Sequence, residues 1–307
     1  MTAMGHKIRQ TLRGVFQGDR PDGEMIRGLH PYRRLMAHVM RGRNESVVYF
    51  DTFARADALL DYIEKANGKG MEVDITHCLV AAVAIGLSQN PKMNRFVAGR
   101  RLYQRKQRHI TFSMKRKKLG REAKLSAVKM DMPDGETFAQ LVGRINGEIN
   151  RERSGKKTHA DKEFELLDRL PRSALDAAVG LLKGLDHFNV LPSAFIDNDA
   201  MYTSVFIANL GSLGMSPGYH HLYEWGNCPL FMMVGKLEKR PLVNDNDEIE
   251  VTRVIPIRWS YDERIDDGLN ARFGIDAVNA ALENPFEAFG CLSEDGSDAL
   301  PLKRDAA

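Results

Sequence analysis

A mixed α+β architecture, in which helices pack on a mixed sheet, is predicted by three features of this 307-residue sequence. Segments rich in β-branched and aromatic residues, Ser46–Phe53, Thr203–Ala208, Pro229–Lys236 and Glu248–Tyr261, are interleaved with stretches of helical periodicity. One helix-length segment, Thr76–Ser88, is apolar nearly all round and belongs at the centre of the fold. A last amphipathic stretch starts at Gly268, follows the final strand segments and stops at Asn284-Pro285.

Taken in order, the first 28 residues read as an arm. Ile8, Leu12, Val15 and Phe16 form an apolar stripe on a basic helix, and Gly18-Asp19-Arg20-Pro21-Asp22-Gly23 reads as a linker. Such an arm suits packing on the body or on another subunit, or a peripheral membrane contact. Residues 29–290 form the body: a helix at Tyr32–Met40, the Ser46–Phe53 strand, a helix at Ala56–Ala66 stopped by Asn67-Gly68, and the buried helix. Strands near Ile110–Met114 and Ala123–Met130 precede a helix over Phe138–Ile149. Residues 152–199 read as an elaborated region, with helical periodicity at Phe164–Leu170 and again at Leu175, Val179, Leu182 and Leu185, ended by Pro192. Pro256 divides Glu248–Tyr261 into two strand segments. Residues 291–307 are a polar tail.

Composition narrows the function class. At 43% hydrophobic and 28% charged residues the chain is a globular protein and not a disordered one. Cys78, Cys228 and Cys291 are isolated, so no structural zinc or other metal site is expected. There is no membrane-length apolar run or signal-peptide pattern, which leaves the cytoplasm as the expected compartment. Basic residues crowd the stretch from Arg100 to Arg121, a solvated rim or an attractor of anions such as the phosphates of a nucleotide cofactor. Zinc spacing, helix-turn-helix punctuation and RNA-binding aromatics are lacking, so nucleic acid is not expected as a partner.

Two constellations carry possible chemistry. Ser260-Tyr261-Asp262-Glu263-Arg264-Ile265-Asp266-Asp267-Gly268 packs four acids and an arginine between a strand and a helix, with Asp267 placed as the helix cap. Ala208-Asn209-Leu210-Gly211-Ser212-Leu213-Gly214 ends a strand, and the loop after it carries His220, His221 and Glu224. Glycines at a strand end let a ligand approach backbone N–H groups, and imidazoles nearby suit proton transfer.

Together, Ile207-Ala208-Asn209-Leu210-Gly211 and Asp262-Glu263-Arg264-Ile265-Asp266-Asp267-Gly268 resemble the catalytic domain of the dihydrolipoamide acyltransferases of 2-oxoacid dehydrogenase complexes. That family shares the chloramphenicol acetyltransferase-like, coenzyme A-dependent acyltransferase fold. Pro31-Tyr32-Arg33-Arg34-Leu35-Met36-Ala37 resembles its opening arginine-containing helix, and Thr76–Asn94 its buried helix. The resemblance implies a trimer or larger assembly with sites between subunits, coenzyme A or acyl-CoA as cofactor, and cofactor contacts at Asn209, Gly211 and Ser212. It also implies structural support by Asp267, with Arg33 as its partner.

The family segment reads D-H-R-x-x-D-G, and here Glu263 stands in the histidine position, while Ala208 falls where the family has a hydroxyl that steadies the oxyanion. A carboxylate with an ordinary pKa of about 4.3 is a much weaker base for a thiol than an imidazole. Losing one oxyanion donor costs roughly 3 kcal/mol of transition-state stabilisation. Two function classes follow. In the first, an acyltransferase takes a free acyl-CoA or acyl thioester and passes the acyl group to a separate acceptor, an acyl carrier or a small molecule. Glu263, or else His220 or His221, is its base. In the second, a catalytically inactive scaffold assembles as a trimer or larger oligomer. The 30 residues ahead of Pro31, where the resemblance begins, are too few for a lipoyl domain, so no lipoyl group is expected on this chain.

Overall fold

The computed structural model describes residues 18, 20–115, 125–154, 170–244, 246–290 and 302. The chain runs β1 (Gly23–Met25), α1 (Pro31–Val39), β2 (Val47–Arg55), α2 (Asp57–Gly68) and α3 (Ile75–Gln89). A hairpin of β3 (Arg95–Ala98) and β4 (Arg101–Arg105) leads into β5 (His109–Lys115), β6 (Leu125–Asp131) and α4 (Phe138–Arg153). Then come α5 (Arg172–His187), α6 (Ser193–Asn198), β7 (Val205–Asn209), β8 (Leu230–Val234), β9 (Glu238–Val243) and β10 (Ile249–Asp262). Two helices close the body, α7 (Gly268–Glu283) and α8 (Pro285–Ala288).

The main sheet has the order β2-β10-β8-β7-β5-β6, with β9 beside the first half of β10. Its β5–β7 and β7–β8 pairs are parallel and the others antiparallel, so the sheet is mixed and the fold α+β as expected. A small antiparallel sheet, β1-β4-β3, stands beside it.

Alternation along the strands separates two faces. Ile207, Leu230, Met232, Ile257, Trp259 and Tyr261 turn inward to the main core, whereas Phe206 and Phe231 belong to a smaller cluster on the opposite face. On the core side lies α3, with every residue from His77 to Leu87 buried. Its start is fixed by Asp74, whose carboxylate accepts from the Thr76 N–H at 2.7 Å. Each large side chain fully buried there contributes about 1.5–3 kcal/mol, so this helix anchors the sheet. Gly86 sets the approach of α7: a Cβ on it would lie 2.5 Å from Val278 Cγ2.

Several local readings change. β10 passes unbroken through Pro256, which pairs with Phe53 of β2. The Pro256 carbonyl accepts from the Gly235 N–H at 2.9 Å, so its missing N–H points to the same edge, at the seam where β9 gives way to β8. The one reciprocal bond it cannot donate would go to Gly235, which lies just beyond the paired residues of β8, so the regular ladders with β8 and β9 are intact. The α5 helix ends at His187, before Pro192, because Asn189 takes a left-handed φ of 61° and the Val190 N–H bonds back to the Leu185 carbonyl at 2.9 Å. Pro192 instead opens α6.

The linker reading of Gly18–Gly23 also yields. Arg20 is buried, bonding Asp22 at 2.9 Å and Asp186 at 2.7 Å, and Gly23–Met25 joins a sheet. Residues 1–17, with their apolar stripe, and Phe164–Arg169 lie outside the described residues, as does most of the tail. Within the tail Leu302 is buried in the main core and donates its N–H to the Glu136 carbonyl at 3.0 Å.

Candidate functional site

The charged segment after β10 is built from its aspartates outward. The Asp262 carboxylate accepts from Arg264 Nε at 2.8 Å and Nη2 at 2.7 Å, from the Arg264 N–H at 3.1 Å and from Ser46 Oγ at 3.0 Å. Both side chains are nearly fully buried, so this is a bidentate internal pair. Arg264 Nη1 reaches on to the carbonyls of Met40 and Arg41, each at 3.1 Å, and so ties the end of α1 to the turn.

Asp267 caps α7 as the sequence suggested, accepting from the Asn270 N–H at 2.9 Å. That bond, then the Asn270 side chain and Arg33, holds its carboxyl below the ordinary 3.8. The structure does bring Arg33 to it, with Nη2 at 3.5 Å from Asp267 Oδ2, while Arg33 Nη1 donates to the Glu263 carbonyl at 3.2 Å. Asp266, which the sequence reading left without a role, is buried with one oxygen unpartnered among the described residues. Desolvation pushes its carboxyl above 3.8.

Glu263 is thus held by its backbone at both ends, its N–H donating to the Ser46 carbonyl at 3.0 Å. Its half-buried side chain has no hydrogen bond or ion pair with a described residue. Fixing its backbone is the shared consequence of the Asp262–Arg264 and Arg33–Asp267 pairs.

The turn after β7 closes on itself. Asn209 Oδ1 accepts from the Ser212 N–H at 3.2 Å, Ser212 Oγ donates to the Asn209 carbonyl at 2.7 Å, and Asn209 Nδ2 donates to Thr76 Oγ1 at 3.2 Å. Gly211 is required by contact: a Cβ there would meet the Gly235 carbonyl oxygen at 2.4 Å. No residue of β7 bears a hydroxyl, and the preceding Thr203 and Ser204 hydroxyls bond the backbone of His109 at 2.8 and 3.1 Å.

The histidine loop lies over the sheet face opposite the main core. The His220 ring stacks on Phe231 with centroids 4.8 Å apart and planes 1° apart, and His221 stacks on His220 at 4.9 Å. Ser260 Oγ donates to the His220 carbonyl, anchoring the loop to β10 two residues before Asp262. His220 Nδ1 lies 2.6 Å from the His221 carbonyl and His221 Nδ1 3.2 Å from that of Leu222. A carbonyl only accepts, so each Nδ1 carries the proton, and in the neutral ring Nε2 is left with its lone pair. Among the described residues no hydrogen bond or ion pair joins either histidine to Glu263. Glu224, further along the loop, accepts from the Asn44 N–H at 3.0 Å and pins the loop to the chain after α1.

Residues 197–289, which hold both the Asn209 turn and the Asp262–Gly268 segment, match the family model of the 2-oxoacid dehydrogenases acyltransferase (catalytic domain). The fold is similar to that of a probable dihydrolipoamide acetyltransferase from Listeria monocytogenes, at 17% identity and TM-score 0.55 over 85% of this chain and 94% of that one. It is likewise similar to the dihydrolipoamide acetyltransferase of Azotobacter vinelandii, at 18% identity and TM-score 0.54 over 83% and 90% of the two chains. A truncated catalytic core of the 2-oxoacid dehydrogenase multienzyme complex from Thermoplasma acidophilum aligns at 17% identity and TM-score 0.51, covering 85% and 99%. No curated protein sequence matches the chain.

The chain therefore has a chloramphenicol acetyltransferase-like acyltransferase fold. Within that class, residues 197–289 are similar to the catalytic domain of the 2-oxoacid dehydrogenase acyltransferases, and Glu263 stands between Asp262 and Arg264 in that segment. No described helix is long and apolar enough to cross a membrane.

Proposed function

We propose that this protein is a divergent coenzyme A-dependent acyltransferase that moves an acyl group from a free acyl-CoA or acyl thioester to a separate acceptor, with His220 as the base. The observation that carries this reading is the His220 tautomer: Nδ1 is tied to the His221 carbonyl at 2.6 Å and the ring is clamped on Phe231, leaving Nε2 to accept a proton. Nε2 takes the proton of the acceptor nucleophile, a thiol, hydroxyl or amine, as that atom attacks the thioester carbonyl. The tetrahedral adduct collapses with cleavage of the C–S bond, and the imidazolium returns the proton to the departing thiolate. The thioester lies along the Asn209–Ser212 turn. Glu263, whose side chain has no hydrogen bond or ion pair with a described residue and whose backbone is fixed, is the second candidate base.

The protein is proposed to work in the cytoplasm, without a lipoyl group of its own, as a trimer or larger assembly. Exposed Tyr32, Leu35 and Val39 on α1, beside the Arg33–Asp267 pair, support such self-association. A peripheral membrane contact through the N-terminal arm is proposed from its apolar stripe of Ile8, Leu12, Val15 and Phe16 in the sequence. A second reading is a scaffold without catalysis, which the absence of a hydroxyl on β7 favours.

The experiment is turnover of labelled acyl-CoAs with a panel of thiol, alcohol and amine acceptors. His220→Gln is expected to lower the rate by about 10²–10⁴ and His221→Gln far less. A full rate in His220→Gln with a collapsed rate in Glu263→Gln would transfer the role to Glu263. No turnover by the native protein across the panel, with oligomer mass intact by light scattering, would leave the scaffold reading.

A further inference from the structure

Five basic side chains, Arg41, Arg43, Arg100, Lys183 and Arg264, converge on one cavity of ≈ 270 Å³. It lies between the end of α1, the β3–β4 turn, the end of α5 and the loop at Glu224–Gly226. Two carboxylates, Asp186 and Glu224, share the lining, and both are engaged: Asp186 takes Arg20 Nη2 at 2.7 Å and Glu224 takes the Asn44 N–H at 3.0 Å. Arg264 is matched by Asp262.

Arg43 is different. Only 8% exposed, it donates to the carbonyls of Tyr223 at 3.0 Å and Val97 at 3.4 Å, and no carboxylate among the described residues forms an ion pair with it. Burial pulls its guanidinium pKa down from 12.5. Its hydrogen bonds go to backbone carbonyls, while the Asp262, Glu224 and Asp186 carboxylates act on it only from beyond ion-pair distance, so a ligand anion would give this buried cation the direct charged partner it lacks among the described residues.

Nor do Arg41, Arg100 and Lys183 have an ion-pair partner among the described residues. Their placement is enforced by the backbone. Gly99 and Arg100 both take left-handed φ, 54° and 62°, to close the β3–β4 turn, and a Cβ on Gly99 would lie 2.3 Å from the His187 carbonyl oxygen. The turn is therefore pressed against the end of α5, which brings Arg100 and Lys183 to one cavity.

We infer that this cavity is a phosphate-binding site, receiving the diphosphate or phosphomonoester end of a ligand. Planar guanidinium groups converging with a lysine suit tetrahedral oxyanions, which accept several charge-assisted hydrogen bonds at once. At ≈ 270 Å³ the cavity is smaller than the roughly 300–1,000 Å³ of a site for a whole drug-sized molecule, so it suits a charged end group. Arg264 also lines it, so the cavity borders the turn that follows β10. Assigning the phosphate to coenzyme A rests on the acyltransferase reading; the chemistry of the cavity applies equally to free diphosphate.

Isothermal titration calorimetry separates these sources, using pyrophosphate, adenosine 3′,5′-bisphosphate, coenzyme A and phosphate-free pantetheine on the full chain. Saturable binding of pyrophosphate and of the bisphosphate, weakened about tenfold by Lys183→Gln and again by Arg100→Gln and falling with added salt, is the expected result. Both positions are on the surface, and an unchanged thermal melt shows that the variants fold. Coenzyme A binding more tightly than pyrophosphate, and pantetheine much more weakly, identifies the cofactor as the source; equal affinities identify free phosphate. No saturable binding of either phosphate probe would overturn the inference, as would binding indifferent to the triple replacement of Arg41, Arg100 and Lys183 by glutamine. Phosphate binding without acyl turnover keeps this site and rejects the acyl-transfer reading instead.

Discussion

Replacing Arg264 by methionine tests whether the Asp262–Arg264 pair is the frame that holds the Glu263 turn. The guanidinium supplies two of the four hydrogen bonds to the Asp262 carboxylate, at 2.8 and 2.7 Å, and the two side chains are only 3% and 1% exposed. Methionine matches the length of the stem but leaves a carboxylate in the interior with only the Arg264 N–H and Ser46 Oγ to stabilise it. Breaking a buried pair from one side costs about 3–5 kcal/mol. At about 2–4 °C per kcal/mol for a domain of this scale, the melting temperature should fall by about 6–20 °C. Urea titration followed by tryptophan fluorescence should show a lower midpoint with an unchanged slope. The double variant Asp262→Asn, Arg264→Met should recover most of the loss, because the neutral amide still accepts from Ser46 and the Arg264 position's N–H. A single-variant loss below about 1 kcal/mol would refute the reasoning. So would a double variant no more stable than the single one.

Other consequences are equally direct. The Asp266 carboxyl is raised by burial, so its contribution favours the folded state below the ordinary value of 3.8 and is lost as pH rises through the raised folded-state value; Asp266→Asn should flatten that slope and raise the melting temperature at pH 7. Burial alone would raise Asp22, but Arg20 and Arg105 and the bonds from Arg20 and Asn227 hold it below 3.8. Its stabilisation is complete above that value and should vanish as pH falls through the lowered one, a loss absent from the acid-titration curve of Asp22→Asn. Gly211→Ala forces a methyl to within 2.4 Å of the Gly235 carbonyl oxygen, for an expected cost of about 1–3 kcal/mol in chemical denaturation.

Much of the site was legible because it is local. Asp267 caps α7 through a bond three residues away, and Asp262 pairs with Arg264 two residues on, so the spacing of the acids and the arginine already contained that geometry. The short hairpin of β3 and β4 has no clear signature in the sequence, although Phe96-Val97-Ala98 and Arg101-Leu102-Tyr103 flank Gly99-Arg100 in a turn with two left-handed residues. In a run so rich in arginine, charge obscured the strand alternation. Asp266 was passed over for another reason: its burial depends on what packs around it, and no periodicity encodes that.

By itself, the sequence determined the α+β class, the central all-apolar helix and the frame around Glu263, since each follows from side-chain chemistry repeated or spaced along a short stretch. Only the tertiary structure decided that Pro256 rides in an unbroken strand, because the edge facing its missing N–H is set by where β9 ends and β8 begins. It alone brought Arg33 from α1 to Asp267, stacked His220 on Phe231 and gathered Arg43, Arg100, Lys183 and Arg264 around one cavity. His220 and Phe231 are eleven positions apart across an irregular loop and the others are separated by scores to hundreds, and such contacts are selected by the packing of whole elements rather than by any local pattern.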